Sequence, residues 1–203
     1  NKTKQKIFFF FYLYRYKDYM TYFTGDLISD GCIMLEFLRS IPIESGTNRK
    51  KLCKSGGSAL YGSTWMGFLK KDKDGNKVMR PADPAHKGRF LTKLKVEFPE
   101  LMDVFKEYRD RHFKDFDFTD VMINKNYPIG RHRDGANVGE SYLVTFGEYE
   151  GGLTRVWWKE DWYNDLYSLD NPIKFNGSKF YHEALPSTGE RYALVFFSVG
   201  GGV

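Results

Sequence analysis

From residue 116 onward the chain consists of short apolar runs separated by glycine-marked turns, and this pattern constrains the fold more than any other feature. Strands are expected at residues 119–124, 141–146, 153–158, 172–175, 179–182 and 191–199. The last of these, RYALVFFSV, is apolar on both faces, which predicts a strand covered on both sides. Ahead of residue 116 the periodicity is different. Ile33, Phe37 and Ile41 recur at helical spacing, predicting a helix over 29–39 with Ser29 or Asp30 as its cap and Pro42 as its stop. A second helix is predicted over 97–113, with Pro99 in its first turn and Leu101, Met102, Phe105, Tyr108 and His112 on one stripe. Between them, residues 44–76 are rich in Gly, Ser and Lys, and the DGN turn at 74–76 joins YGSTWMGFL to KVM as a hairpin. Helices followed by a run of strands predict an α+β fold with an antiparallel sheet or sandwich. No internal repeat is found.

A length of 203 residues suits one domain with a buried core. The charge of +5 is compatible with an anionic partner, nucleic acid included, without requiring one. Cys32 and Cys53 make neither a disulfide framework nor a zinc spacing, so both are read as reduced thiols in a nuclear or cytoplasmic compartment. No segment has the roughly 18–20 apolar residues of a membrane span. The aromatic run at residues 7–16 is too short and is closed by Arg15 and Lys17, with no small-residue cleavage site after it. The first residue is Asn and Met20 offers another start, so residues 1–19 are read as an extension and the chain as a fragment or conceptual translation. A monomer is expected.

Four residues carry the chemistry: His132, Asp134, His182 and Arg191. In an extended segment residues i and i+2 face the same way, so His132 and Asp134 can address one ion while Arg133 points elsewhere. A third ligand, His182, completes one face of an octahedron. Two imidazoles and a carboxylate with open positions are the ligand set of a non-haem Fe(II) oxygenase, and the mixed donors argue against structural zinc. An His-x-Asp triplet is weak evidence by itself. Arg191 heads the doubly covered strand, where an unpaired guanidinium is expensive. It either meets an internal Asp or Glu, reaches solvent at the strand end, or clamps a dicarboxylate in bidentate fashion. Together with the triad, the clamp is favoured. His86 in its Pro-rich loop and His112 on the second helix are read as structural or solvated.

Residues 120–198 resemble the 2-oxoglutarate- and Fe(II)-dependent dioxygenases, and HRDGANVGESYLVTFGEYEGG with HEALPSTGERYALVFF is most similar to the TET/JBP branch of that superfamily. The resemblance implies a double-stranded β-helix (jelly-roll) core with N-terminal helices packed on the sheet. It implies one dioxygenase domain over 20–203, helical over 20–115 and β-helical over 116–199. It implies Fe(II), 2-oxoglutarate and O2, with His132, Asp134 and His182 on the iron and Arg191 on the co-substrate. The substrate it implies is the methyl group of a 5-methylpyrimidine, 5-methylcytosine or thymine, in nucleic acid, with DNA favoured. The alternatives are a hydroxylase acting on a prolyl or lysyl side chain or a small molecule, and a silent binding domain of the same fold. Asn124 and Asn137 match polar positions of the branch, Asn124 beside the co-substrate. Asn137 either contacts the base or closes the turn after Asp134, the turn being favoured. Base extrusion needs stacking and phosphate contacts. Arg131 and Arg133 flank the ligand and are the best phosphate candidates. Tyr61, Trp65, Phe68, Lys70 and Lys71, with Arg49, Lys50 and Lys51, are weaker ones, since such aromatics are mostly core and such lysines mostly solvated.

Overall fold

The structure is a computed structural model that describes residues 22–43, 56–169 and 171–200. In chain order its elements are α1 (Leu27–Ser40), β1 (Gly57–Tyr61), β2 (Ser63–Thr64), β3 (Phe68–Lys71), β4 (Lys77–Met79), β5 (Phe90–Leu91), α2 (Lys93–Glu97) and α3 (Leu101–His112). There follow β6 (Asp120–Lys125), β7 (Ile129–His132), β8 (Asn137–Phe146), β9 (Tyr149–Gly151), β10 (Thr154–Lys159), β11 (Trp162–Leu166), β12 (Ile173–Phe175), β13 (Tyr181–Ala184), β14 (Ser187–Gly189) and β15 (Tyr192–Val199). The described residues fall into two compact units, 22–42 with 100–116, and 43 and 56–99 with 117–169 and 171–200. No described helix is long and apolar enough to cross a membrane.

The strand-rich unit is built on two antiparallel sheets, ordered β1-β6-β15-β8-β12 and β11-β10-β13-β7. With β1 set aside, and β9 and β14 as a separate ribbon, eight core strands remain. Counted along the chain, they run first, eighth, third, sixth in one sheet and second, seventh, fourth, fifth in the other. That alternation between sheets is the jelly roll, a double-stranded β-helix. Leu143 of β8, Phe175 of β12 and Val156 of β10 pack in one buried cluster with Val195, Trp158 and Leu166, so the two sheets face each other. Each fully buried apolar side chain there contributes about 1.5–3 kcal/mol. The six expected strands are β6, β8, β10, β12, β13 and β15, with β8 beginning at Asn137 rather than at residue 141. The expected hairpin is β3 with β4, its turn held by Asp72 Oδ1, which accepts from the backbone N of Asp74 (2.9 Å) and Asn76 (2.8 Å). Residues 57–91, expected within a helical part, instead supply β1 to β5, and β1 extends the larger sheet along β6.

In the other unit α1 begins earlier than the spacing indicates. Asp26 is the cap, its carboxylate accepting from Ser29 N at 2.8 Å. Neither Ser29 nor Asp30 fills that role, because Asp30 is fully buried and committed elsewhere. It accepts from Thr24 N (2.7 Å) and Gly25 N (2.9 Å), and His112 Nε2 of α3 lies 2.9 Å from its Oδ2. Phe37 and Ile41 are buried as expected, Ile33 is only half-buried, and Met34 and Leu38 complete the apolar face. The helix expected over 97–113 starts later, as α3 at Leu101, and residues 93–97 form the separate α2. Pro99 restricts the residue before it to extended backbone, and Phe98 sits at φ −139°, ψ 62°. Leu101, Phe105 and Tyr108 of the expected stripe are buried and Met102 is half-buried, while Val104 is buried in addition. His112 is a structural residue with a buried side chain. Replacing Asp30 with Ala leaves two loop N–H groups and the imidazole without their acceptor, and is expected to cost about 3 kcal/mol in urea unfolding of the chain.

Candidate metal centre

β13 pairs with β7 so that His182 stands directly opposite His132. β13 also pairs with β10, placing His182 beside the buried Val156, so both imidazoles turn into the space between the sheets. Their rings are 4.3 Å apart at 53°. Two residues beyond His132, Asp134 is held by its backbone N on Gly177 O at 2.9 Å. Its Oδ1 lies 3.5 Å from His132 Nε2 and its Oδ2 3.5 Å from His182 Nε2. The three donor atoms all lie within 4.8 Å of one another, a spacing one cation can bridge.

The backbone sets the tautomers. His132 Nδ1 donates to Gly130 O (2.8 Å) and His182 Nδ1 to Phe180 O (3.1 Å). A carbonyl can only accept, so each Nδ1 keeps its hydrogen and Nε2 is the ring nitrogen that faces Asp134. Burial pushes the Asp134 carboxyl upward, but hydrogen bonds and charge from the two imidazoles outweigh it and hold the group far below its ordinary range. The same contact with Asp134 raises His132 above its ordinary value against the opposing effect of burial. Asn137 Nδ2 steadies Asp134 Oδ2 at 3.1 Å and its backbone N bonds Asp134 O at 3.0 Å, so its contacts are those of the turn.

A second group of polar residues shares the inter-sheet face. Val195 of β15 packs into the core, and Ala193 and Arg191 follow it at two-residue intervals. The register sets Asn124 and Thr145 on either side of Ala193, and Ser141 and Thr154 lie on the inward rows of β8 and β10. These side chains are buried, yet Asn124 Oδ1, Ser141 Oγ, Thr154 Oγ1 and Arg191 Nε and Nη2 have no hydrogen-bond partner. Arg191 is only 2 % exposed, and among the described residues no carboxylate pairs with it. Burial lowers its guanidinium from the ordinary value, with Tyr149 opposing the shift. The Tyr149 ring lies 5.5 Å from Cζ, and its hydroxyl meets Thr145 Oγ1 at 2.5 Å. The partnerless guanidinium N–H groups and hydroxyls, buried inside a sandwich, suit an oxygen-rich anion.

Other expected residues lie elsewhere. Arg131 and Arg133 are exposed and stacked on aromatic rings on the face of the sheet opposite His132. Tyr61 is a core residue whose hydroxyl donates to Pro99 O at 2.7 Å. Trp65, Phe68 and Lys71 are exposed. Arg49, Lys50, Lys51, Cys53, the extension at 1–19 and the Lys70 side chain lie outside the described residues. His86 bonds Asp83 Oδ2 at 3.0 Å. Sequence reasoning did not single out Tyr149, Gly152 or Gly177. A Cβ on Gly152 would come within 2.7 Å of Arg191 Cδ, and one on Gly177 within 2.8 Å of Asp134 Oδ2. The EGG turn and the isolated glycine in FNGSKF were the available signals.

No protein-family model and no curated protein matches the chain. Among solved structures it is similar to an oxidoreductase of the 2OG-Fe(II) oxygenase family from Burkholderia pseudomallei, at 14% identity over 83% of this chain and 76% of that one, TM-score 0.48. A prolyl-4-hydroxylase from Pseudomonas putida matches at 13% over 87% and 88%, TM-score 0.43. NgTET1 in complex with 5mC DNA matches at 12% over 75% and 64%, TM-score 0.44. Likeness at this level assigns neither family nor substrate; the strand order establishes the jelly roll by itself.

Gly177→Ala places a methyl group against Asp134 and His182, and is expected to weaken Fe(II) binding about 10–100-fold in an anaerobic titration while the unfolding midpoint stays near that of the parent.

Proposed function

We propose that the chain is an Fe(II)- and 2-oxoglutarate-dependent dioxygenase acting on the methyl group of a 5-methylpyrimidine in nucleic acid. One observation carries the reading: a two-His, one-Asp cluster shares an inter-sheet face with a buried guanidinium that no described carboxylate neutralises. The donor set fits Fe(II), and the partnerless donors fit a dicarboxylate. His132, Asp134 and His182 would hold the metal, which when bound with its co-substrate supplies O2 activation and hydrogen abstraction.

The chain's own residues bind, orient and exclude water. The carbonyls of Gly130 and Phe180 engage both Nδ1 atoms, so Nε2 is the nitrogen each ring would offer the metal. Asp134, held ionised, offsets part of the metal's charge. Arg191 would take the distal carboxylate of 2-oxoglutarate in bidentate fashion, with Tyr149 and Thr145 near its guanidinium and Asn124, opposite Ala193, beside the molecule. Leu143, Val156 and Phe175 make an apolar interior that excludes water. Residues 135, 136 and 138–140, just after Asp134, are exposed, leaving the ligand side of the sandwich accessible to a polymer. The base has to leave its stack to reach the centre. The pyrimidine substrate is supported by the resemblance of HRDGANVGESYLVTFGEYEGG. Such a substrate places the domain in the nucleus or cytoplasm.

The test is succinate release by the Fe(II)-loaded chain with and without oligonucleotides containing 5-methylcytosine or 5-methyluracil. Stimulation by the methylated strands, lost in His132→Ala, is expected. Stimulation by peptides alone would replace the substrate, and no turnover with iron bound would overturn the activity. Arg191→Met separates a clamp from a salt bridge. A clamp variant is expected to unfold at higher urea by about 1–2 kcal/mol without co-substrate, because an unpaired buried charge is removed. It should also need about 100-fold more 2-oxoglutarate, the loss of roughly 2.7 kcal/mol.

A further inference from the structure

The outer face of the four-stranded sheet carries chemistry that the metal centre does not use. The alternation that turns His132, His182 and Val156 inward turns Arg131, Tyr181 and Trp157 outward. Trp157 pairs with Tyr181 on one side and Tyr163 on the other, so three rings lie in a row across β13, β10 and β11. Guanidinium groups are set among them. Arg131 lies over Trp157 (4.5 Å) and over Tyr181 (4.9 Å), Arg133 over Tyr181 (4.8 Å), and Arg155 over Tyr163 (4.2 Å). The strip of rings and cations thus spans all four strands.

Its charges are not equivalent. Arg155 is neutralised by Asp165, at 2.6 and 2.9 Å, and by Glu183 at 3.4 Å, which fixes that end. Arg131 and Arg133 are exposed, and among the described residues no carboxylate pairs with either. Tyr181 is 42% exposed and Tyr163 45%, too open for rings whose task is to fill a core. Arg131, Trp157 and Tyr181 also line a cleft of about 710 Å³ whose further charges are Lys159, Lys179 and Glu160. The cleft is net cationic. Rings on an open sheet can stack only on bases that are not already stacked and paired, which excludes a duplex interior.

We propose that this face is a platform for single-stranded nucleic acid, in which Arg131 and Arg133 swing off the rings to take phosphates and so free Tyr181 and Trp157 to stack on bases. It goes beyond the metal reading and stands without it, although β7 carries both: Arg131 precedes and Arg133 follows His132 on the opposite face of the sheet. A strand lying on the platform is one sheet's thickness from the metal ligands.

The test uses the metal-free full chain and follows tryptophan quenching and fluorescence anisotropy with a short pyrimidine strand, the matching duplex, and poly-glutamate. The single strand is expected to bind best. The double variant Arg131→Gln/Arg133→Gln should lower affinity by at least about tenfold and reduce the slope of log K against log salt by about 1.4, the loss of two phosphate contacts. Tyr181→Leu should weaken binding by about tenfold with the salt slope unchanged, the signature of lost stacking. Lys77→Gln, an exposed charge on β4, should change nothing. Absence of binding, undiminished binding by the double variant at an unchanged unfolding midpoint, or equal or tighter binding of duplex or poly-glutamate would each overturn the platform. Iron binding is scored separately, so failure here leaves the metal reading intact, and the reverse also holds.

Discussion

The pairing of His182 with His132 across β13 and β7 is the constraint on which the molecule's chemistry depends. Side chains on a strand alternate strictly, so one register places every residue of both strands. With the imidazoles inward, Asp134 falls between them and each Nδ1 meets the carbonyl two residues before it in the chain. With the imidazoles inward, Arg131, Arg133 and Tyr181 must also be outward. A slip of one residue would bury two arginines in the apolar cluster and expose both ligands. The cost of the first, several kcal/mol per unpaired buried charge, makes the register self-enforcing. The centre and the cationic face are therefore two consequences of a single pairing.

That logic also explains which parts were legible from residues alone. His-x-Asp encodes its own geometry, because an extended backbone converts spacing two into a shared direction, and Arg191 announced itself as a charge heading an apolar strand. The strands β6, β8, β10, β12, β13 and β15 carry continuous apolar or alternating patterns and were visible. β7 was not: Ile-Gly-Arg-His has one apolar residue, and its pairing is imposed by β13 rather than by propensity. β11 is an almost wholly exposed edge strand, so no buried face wrote a period into it. β1 is hidden in a stretch rich in Gly, Ser and Lys, and becomes a strand because β6 offers an edge. In the helical unit the error came from tertiary demand. Asp30 could cap a helix, but His112 lies 82 positions away in sequence and only the fold brings it to 2.9 Å. Tyr149 and Gly177 were illegible for a related reason, since their value lies in what they approach across the sandwich.

The polar interior argues most strongly that the inter-sheet space is a binding site. A sandwich core gains its stability from apolar area, and each buried donor or acceptor left alone subtracts about 1–3 kcal/mol. Five such atoms, on Asn124, Ser141, Thr154 and Arg191, cluster on the inward rows of β6, β8, β10 and the approach to β15. No structural benefit offsets them: Val or Leu at these positions would extend the cluster of Leu143, Val156 and Phe175. Gly152 sharpens the point, because the chain forgoes a side chain there at φ +64° to give Arg191 room. A protein that removes packing from one side of a guanidinium and omits its counter-charge has left a shape and a charge for another molecule to complete. Stability forgone in the fold is then recovered as affinity when an anion with the matching oxygens enters. On this argument the buried guanidinium is as much a feature of the fold as the His–Asp–His cluster, and the β10–β13 pairing that sets Val156 against His182 joins the cluster to the same inter-sheet face.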